Sequence, residues 1–178
     1  MKTQFSLILR LAWNVCLRLA LTPSIRASML TFGACGVHAV VHRGIQVTKV
    51  GGIRLGDNVV INSRVLLDSR KGIKIGNNVM IGQYSKIYTL GHDIESPHFE
   101  ATGGSVVIED NVVCFSNVLL MPKVTLRKGS IILSGAVVTK STVENGVYGG
   151  NPAKLIRFVE RRSDNIKYKL HYPWLFGS

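Results

Sequence analysis

The chain has 178 residues, 46% hydrophobic and 18% charged, with a formal net charge of +12. That length supports one domain-sized unit whose core is large enough to fold without disulfide staples. Cys16, Cys35 and Cys114 are odd in number and lack C-x-x-C spacing, which excludes a disulfide framework or a cysteine-built zinc site and points to free thiols in a reducing, cytoplasmic compartment. The positive charge attracts anions in general, but no nucleic-acid-binding motif and no aromatic–basic interleaving accompany it, so nucleic acid is not the expected partner.

Residues 1–30 form an appendage of their own. The stretch from Phe5 to Thr22 is rich in Leu, Ile, Val and Ala, yet Arg10 and Arg18 interrupt it and no small-residue cleavage site follows cleanly, so a signal peptide is not the expected reading. A spanning helix would bury both arginines at roughly 2.5–3.5 kcal/mol each. Lys2, Ser6, Arg10, Asn14, Arg18 and Thr22 fall four apart, which places them on one face of an amphipathic helix ended near Pro23. Such a helix either packs on the main body or a partner subunit, or lies in the plane of an anionic membrane as a peripheral anchor at its inner face.

From residue 31 to 148 the pattern changes. Ile108, Cys114, Leu120, Leu126, Ile132 and Val138 recur at a strict period of six, and Val112, Val118, Val124, Ser130, Ala136 and Thr142 form a ladder of small residues four positions behind. The same grammar runs through Leu55, Ile61 and Leu67, and again through Ile75, Ile81 and Ile87. Neither an amphipathic helix nor a hairpin alternation has this period. Three octads repeat one phrase, Ile53-Arg-Leu-Gly-Asp-Asn-Val-Val60, Ile73-Lys-Ile-Gly-Asn-Asn-Val-Met80 and Val106-Val-Ile-Glu-Asp-Asn-Val-Val113, and their anchors Leu55, Ile75 and Ile108 are 20 and then 33 residues apart. If three hexads make a coil of about 18 residues, the first gap is a coil plus two and the second a coil plus about 15. The larger excess falls on an excursion over residues 89–105, where the hexad grammar stops and His92 stands.

The physical reading is a parallel β-helix, an all-β solenoid in which each hexad supplies a short strand and a corner. The aliphatic position points inward and stacks on its equivalent one coil away, at about 4.8 Å. Gly56, Asn58, Gly76 and Asn78 suit corners with unusual backbone angles. The interior is filled by side chains, so a ligand must sit outside it, between protomers or beneath the excursion.

Three motifs lie along this solenoid: Leu90-Gly91-His92-Asp93 at the excursion's start, Ser134-Gly-Ala-Val-Val-Thr-Lys140, and Gly149-Gly-Asn-Pro-Ala-Lys-Leu-Ile-Arg157. With the hexads they resemble the hexapeptide-repeat acyltransferases, in the branch of sugar O-acetyltransferases related to maltose and galactoside acetyltransferases. The resemblance covers about Leu55 to Arg157. It implies a left-handed β-helix, a homotrimer with sites between subunits, and acetyl-CoA as co-substrate; no metal belongs to the set. It makes His92 the general base and the backbone amide at Ser116 the oxyanion donor. Ser134, Gly135, Thr139, Lys140, Lys154 and Arg157 become cofactor contacts. Asn62 and Asp68 match acceptor-site positions, with a corner asparagine the equal alternative for Asn62. Asp93, carried with the acceptor site, either orients the ring or caps the turn. His98 and Glu100 either touch the acceptor or are solvated loop residues.

The chain departs from the family at Val113-Cys114-Phe115, where Trp-Ile-Gly is common, at Pro122-Lys123, at Leu126-Arg127-Lys128 and at Leu133. None of these touches His92. Residues 149–178 are expected to carry the last cofactor motif and a short helical tail with the basic run Lys154, Arg157, Arg161, Arg162, Lys167 and Lys169 on a solvated face.

The chemistry follows from the residue types. Imidazole ordinarily titrates near pH 6.5, so it can take a hydroxyl proton at neutral pH and return it to a thiolate. A fixed N–H aimed at the developing oxyanion contributes about 2.7–4 kcal/mol. The expected activity is acetyl transfer from acetyl-CoA to a sugar hydroxyl in a polysaccharide or glycan precursor. A xenobiotic acetyltransferase, a non-catalytic β-helix scaffold and a zinc-dependent γ-type carbonic anhydrase are the alternatives; the last needs three converging histidines, and only His92 and His98 lie within the repeats.

Overall fold

A computed structural model describes residues 27, 30, 31, 35–49 and 51–160. The amphipathic helix expected from Phe5 to Thr22, ended near Pro23, and the part of the expected helical tail over 161–178 lie outside the described residues. Ala27, Leu30 and Thr31 are helical. Ala27 and Leu30 are 1% exposed and join the core, so this end of the N-terminal segment packs on the body.

The solenoid has three faces. The first stacks Ile53–Leu55, Ile73–Ile75, Val106–Ile108 and Thr125–Leu126. The second stacks Val40–Val41, Val60–Ile61, Met80–Ile81, Val113–Cys114, Ile131–Ile132 and Gly146–Gly149. The third stacks Gln46–Val47, Leu66–Leu67, Lys86–Ile87, Leu119–Leu120 and Val137–Val138. All these pairings are parallel. Each face keeps one aliphatic column inward: Leu55, Ile75, Ile108 and Leu126 on the first, Ile61, Ile81, Cys114 and Ile132 on the second, Leu67, Ile87, Leu120 and Val138 on the third. These are the rungs of the period-six ladder. The small-residue ladder is buried as well, from Val112 and Val118 to Ala136 and Thr142. It lines the inside of the corners, where a larger side chain would not fit.

Corner chemistry differs from the expectation in one respect. Asn58, Asn78 and Asn111 adopt φ of 53°, 54° and 61°, the left-handed conformation that asparagine tolerates. Gly56 and Gly76 are absent from that conformation; they are needed for space. A Cβ on Gly56 would lie 2.5 Å from Asn77 Oδ1 and 2.8 Å from the Gly76 carbonyl.

The upper end closes differently from the helix expected there. After Gly146–Gly149 the chain reverses and Lys154–Phe158 forms a strand antiparallel to it. Lys154 and Arg157 are thus on an exposed strand, because the Gly-Asn-Pro turn returns the chain along the top coil.

Candidate active site

The excursion is an antiparallel hairpin. Leu90–His92 pairs with Ala101–Gly103, and His92 stands opposite Ala101. It leaves the solenoid at the edge between the third and first faces, since Thr89 O still accepts from Gly104 N–H at 3.0 Å. His92 is exposed at the end of the first hairpin strand. Its ring stacks on Phe99, with centroids 5.3 Å apart and planes 18° from parallel. Phe99 has φ of 51°, which turns it back over the histidine. Asp93 caps the loop: its Oδ1 accepts from Glu95 N–H at 3.0 Å, while its own N–H donates to Glu100 O at 2.8 Å. Of the two roles open to Asp93, the geometry provides the turn cap. His98 and Glu100 are exposed on the same loop.

The other site residues separate by edge. Asn62, Ser116, Ser134 and Gly135 lie on the edge between the second and third faces. There Gly135 N–H donates to Ser116 O at 3.1 Å, and Asn62 stacks beneath Gly82, since both N–H groups donate upward, to Ile81 O at 2.9 Å and to Cys114 O at 2.8 Å. Among the described hydrogen bonds the Ser116 N–H has no acceptor. Asn62 Nδ2 donates to Ile81 O at 3.0 Å, as a corner asparagine does. Asp68, the His92 hairpin, Thr139 and Lys140 lie on the edge between the third and first faces. Asn62 and Asp68 therefore do not share a site within one protomer, and neither do His92 and Ser116.

Asp68 needs a correction. Its side chain is buried, 0% exposed, and is spent within the protein. Oδ1 accepts from Arg70 Nε and Thr48 Oγ1, each at 2.7 Å, and Oδ2 accepts from Arg70 Nη2 at 2.9 Å. It positions Arg70 instead of touching an acceptor. Burial alone would raise its pKa, but the hydrogen bonds from Arg70 and Thr48 outweigh burial and hold it at about 2. A carboxyl that titrates lower folded than unfolded stabilises fully above its ordinary value, and loses that contribution as pH falls through the folded value. With Arg70 half exposed, this amounts to roughly 1–2 kcal/mol. Urea unfolding of wild type should accordingly weaken between pH 4 and pH 2 by about that much more than unfolding of Asp68→Asn. Parallel slopes for the two proteins would refute the coupling.

Cys114 is no nucleophile, since complete burial pushes its thiol up to about 12. Among the described residues no group of three or more His, Cys, Asp or Glu is arranged to hold a metal, and no helix is long and apolar enough to cross a membrane. Phe99, Arg70 and Gly82 are site features that the motifs did not reveal. A hairpin contact and a corner salt bridge leave no periodic trace, whereas Gly82, directly after the inward Ile81, carried a signal in its place on the ladder.

A solenoid filled to its axis, with a histidine hairpin off one edge and an amide corner on another, defines a surface-site β-helix protein. No protein-family model matches the chain. WcaF of Escherichia coli (strain K12), named for acetyl transfer in colanic acid biosynthesis, is 32% identical over 127 residues, which is 71% of this chain and 70% of that protein. A hexapeptide-repeat acetyltransferase from Vibrio cholerae, solved with acetyl coenzyme A, superposes with a TM-score of 0.76 at 26% identity, over 84% of this chain and 85% of its own. A maltose O-acetyltransferase from Clostridium difficile 630 gives 0.74 at 27% identity, over 84% of each chain. The chain belongs to the hexapeptide-repeat acetyltransferase family, and its solenoid is that family's left-handed β-helix.

Proposed function

We propose that this acetyl-CoA-dependent acetyltransferase moves the acetyl group to a sugar hydroxyl of a glycan or polysaccharide precursor, with His92 as general base. The observation that carries the reading is the placement of His92. It stands exposed at the end of the first strand of the hairpin that interrupts the repeat, while His98 lies out in the connecting loop, and the edge it leaves carries Thr139 and Lys140 further along. In this mechanism an imidazole nitrogen of His92 takes the proton of the acceptor hydroxyl as its oxygen attacks the thioester carbon. The Ser116 N–H donates to the oxygen on which charge develops. The C–S bond breaks, and His92 returns its proton to the departing thiolate.

His92 and Ser116 occupy different edges of one protomer, so the site is best completed by a neighbouring copy that brings its hairpin to this protomer's amide corner. A homotrimer provides three such sites. Ser134 and Gly135, beside Ser116, then line the pantetheine path, and the cations Lys140, Lys154 and Arg157 suit coenzyme phosphates. The polysaccharide context rests on the relative named for colanic acid biosynthesis, and the sugar hydroxyl on the maltose enzyme that shares the fold.

The test is incubation of the full chain with acetyl-CoA and a mixed panel of mono- and oligosaccharides, read by mass spectrometry. A sugar gaining one acetyl group, dependent on His92, is the expected result. Acetyl-CoA binding without any acetylated sugar, or acetylation confined to non-sugar hydroxyls, would overturn it.

A further inference from the structure

Among the described residues, every residue added to the regular coil is added at one edge, between the third and first faces. Six residues separate Leu120 from Leu126, but eight separate Leu67 from Ile75, and twenty-one separate Ile87 from Ile108. The hairpin therefore emerges above a corner that is already widened one coil below it. That widened corner is Asp68-Ser69-Arg70-Lys71-Gly72. It is tied directly to the hairpin's root: Lys71 N–H donates to Thr89 Oγ1 at 3.0 Å, and Thr89 Oγ1 donates to Asp68 O at 2.6 Å. Thr89 immediately precedes the strand that ends in His92.

The corner holds an unusual investment. Taking a carboxylate out of water costs several kcal/mol, and a buried ion pair seldom returns more stability than an apolar pair of the same volume. What the Asp68 carboxylate achieves is orientation. It takes Nε and Nη2 of Arg70 and leaves the remaining guanidinium donors on a side chain that is 48% exposed. Lys71 and, one coil lower, Lys49 are exposed beside it; Ser69 Oγ donates to Lys49 O at 2.6 Å, which joins the two coils. Above the hairpin the same edge carries exposed Lys123 and Lys140. The hairpin thus divides a cationic edge, with Lys140 on the coenzyme side and Lys49, Arg70 and Lys71 on the other.

We propose that this lower corner, with Arg70 held in place by Asp68, recognises an anionic group on the acceptor, so that the acceptor is an acidic sugar and not a neutral one. A guanidinium with fixed planarity suits the two oxygens of a carboxylate or phosphate, and its anchor beneath the hairpin root brings that group to the side of His92 opposite the coenzyme. The proposal rests on the acetyl-transfer reading for the identity of the ligand as acceptor, but the binding it requires can be measured without turnover.

Full-length protein is titrated by calorimetry with oligogalacturonate, with glucose 1-phosphate, with neutral maltotriose, and separately with acetyl-CoA. The expected result is binding of an anionic probe, with maltotriose weaker by about tenfold or more. Oligogalacturonate preferred over glucose 1-phosphate identifies a uronate, and the reverse a phosphosugar. Arg70→Gln should lose about tenfold or more for the anionic probe and leave acetyl-CoA affinity unchanged; Arg70→Lys should lose less, and raised salt should weaken the wild type. Equal affinity for maltotriose and the anionic probes, no binding of either anion, or an Arg70→Gln protein that binds them as wild type does, would each overturn the proposal. Failure of acetyl transfer to any sugar, with Arg70-dependent anion binding intact, would instead sink the sugar-transferase reading alone.

Discussion

Replacing His92 with alanine is expected to lower kcat/KM for acetyl transfer by roughly 10²–10⁴-fold, the usual contribution of a positioned general base. The loss should appear in kcat, because the imidazole acts on the proton in flight and not on the bound coenzyme. Stability should barely change. His92 is exposed at the end of a hairpin strand, and its recorded ring contact is the stack on Phe99. The controls are therefore an unchanged melting temperature and an unchanged calorimetric affinity for acetyl-CoA. A variant that keeps most of the wild-type rate would remove His92 from the mechanism, and a variant that loses acetyl-CoA affinity in parallel with rate would make it a binding residue.

Gly82→Ala should damage both fold and rate. Gly82 is buried at the corner after Ile81, and its N–H donates to Cys114 O at 2.8 Å. A Cβ at this position would lie within 2.5 Å of Phe115 O and Ser116 N. These are backbone atoms of the next coil, so no flexible side chain can swing aside. The Phe115–Ser116 peptide must shift. Overpacking of this kind costs about 1–3 kcal/mol, and a reacting group misplaced by about 1 Å costs on the order of 10²-fold in rate. Urea unfolding measures the first and steady-state kinetics the second. If Gly82→Ala loses stability but keeps full kcat, the Ser116 amide is not the oxyanion donor.

Much of this was legible in the chain itself. The period-six residues became the three inward columns, because a solenoid repeats one coil and each coil must fill the same cross-section. The gap between Ile75 and Ile108 located the excursion for the same reason: residues in excess of a coil have to leave it. Corner asparagines were readable as left-handed residues, whereas Gly56 and Gly76 turned out to be demanded by the neighbouring coil's atoms. Lys154 and Arg157 were misplaced on a helix, since Lys154-Leu-Ile-Arg-Phe158 shows no polar–apolar alternation and is exposed throughout, and the reversal after Gly149 is a tertiary event.

What the sequence by itself determined is therefore the solenoid, its inward columns and the place where His92 leaves it. Those follow from hydrophobic spacing, which stacking forces to repeat. The tertiary structure alone decided which side chains touch across the corners and the hairpin. It turned Asp68 inward onto Arg70, tied Thr89 to the corner below, and laid Phe99 on the histidine ring. The contacts of a looped-out hairpin depend on how it folds back over the coil, since the inward columns keep their register across it, and a carboxylate's partner depends on what the fold brings within 3 Å. Neither quantity is periodic, so neither is written in the spacing of the chain.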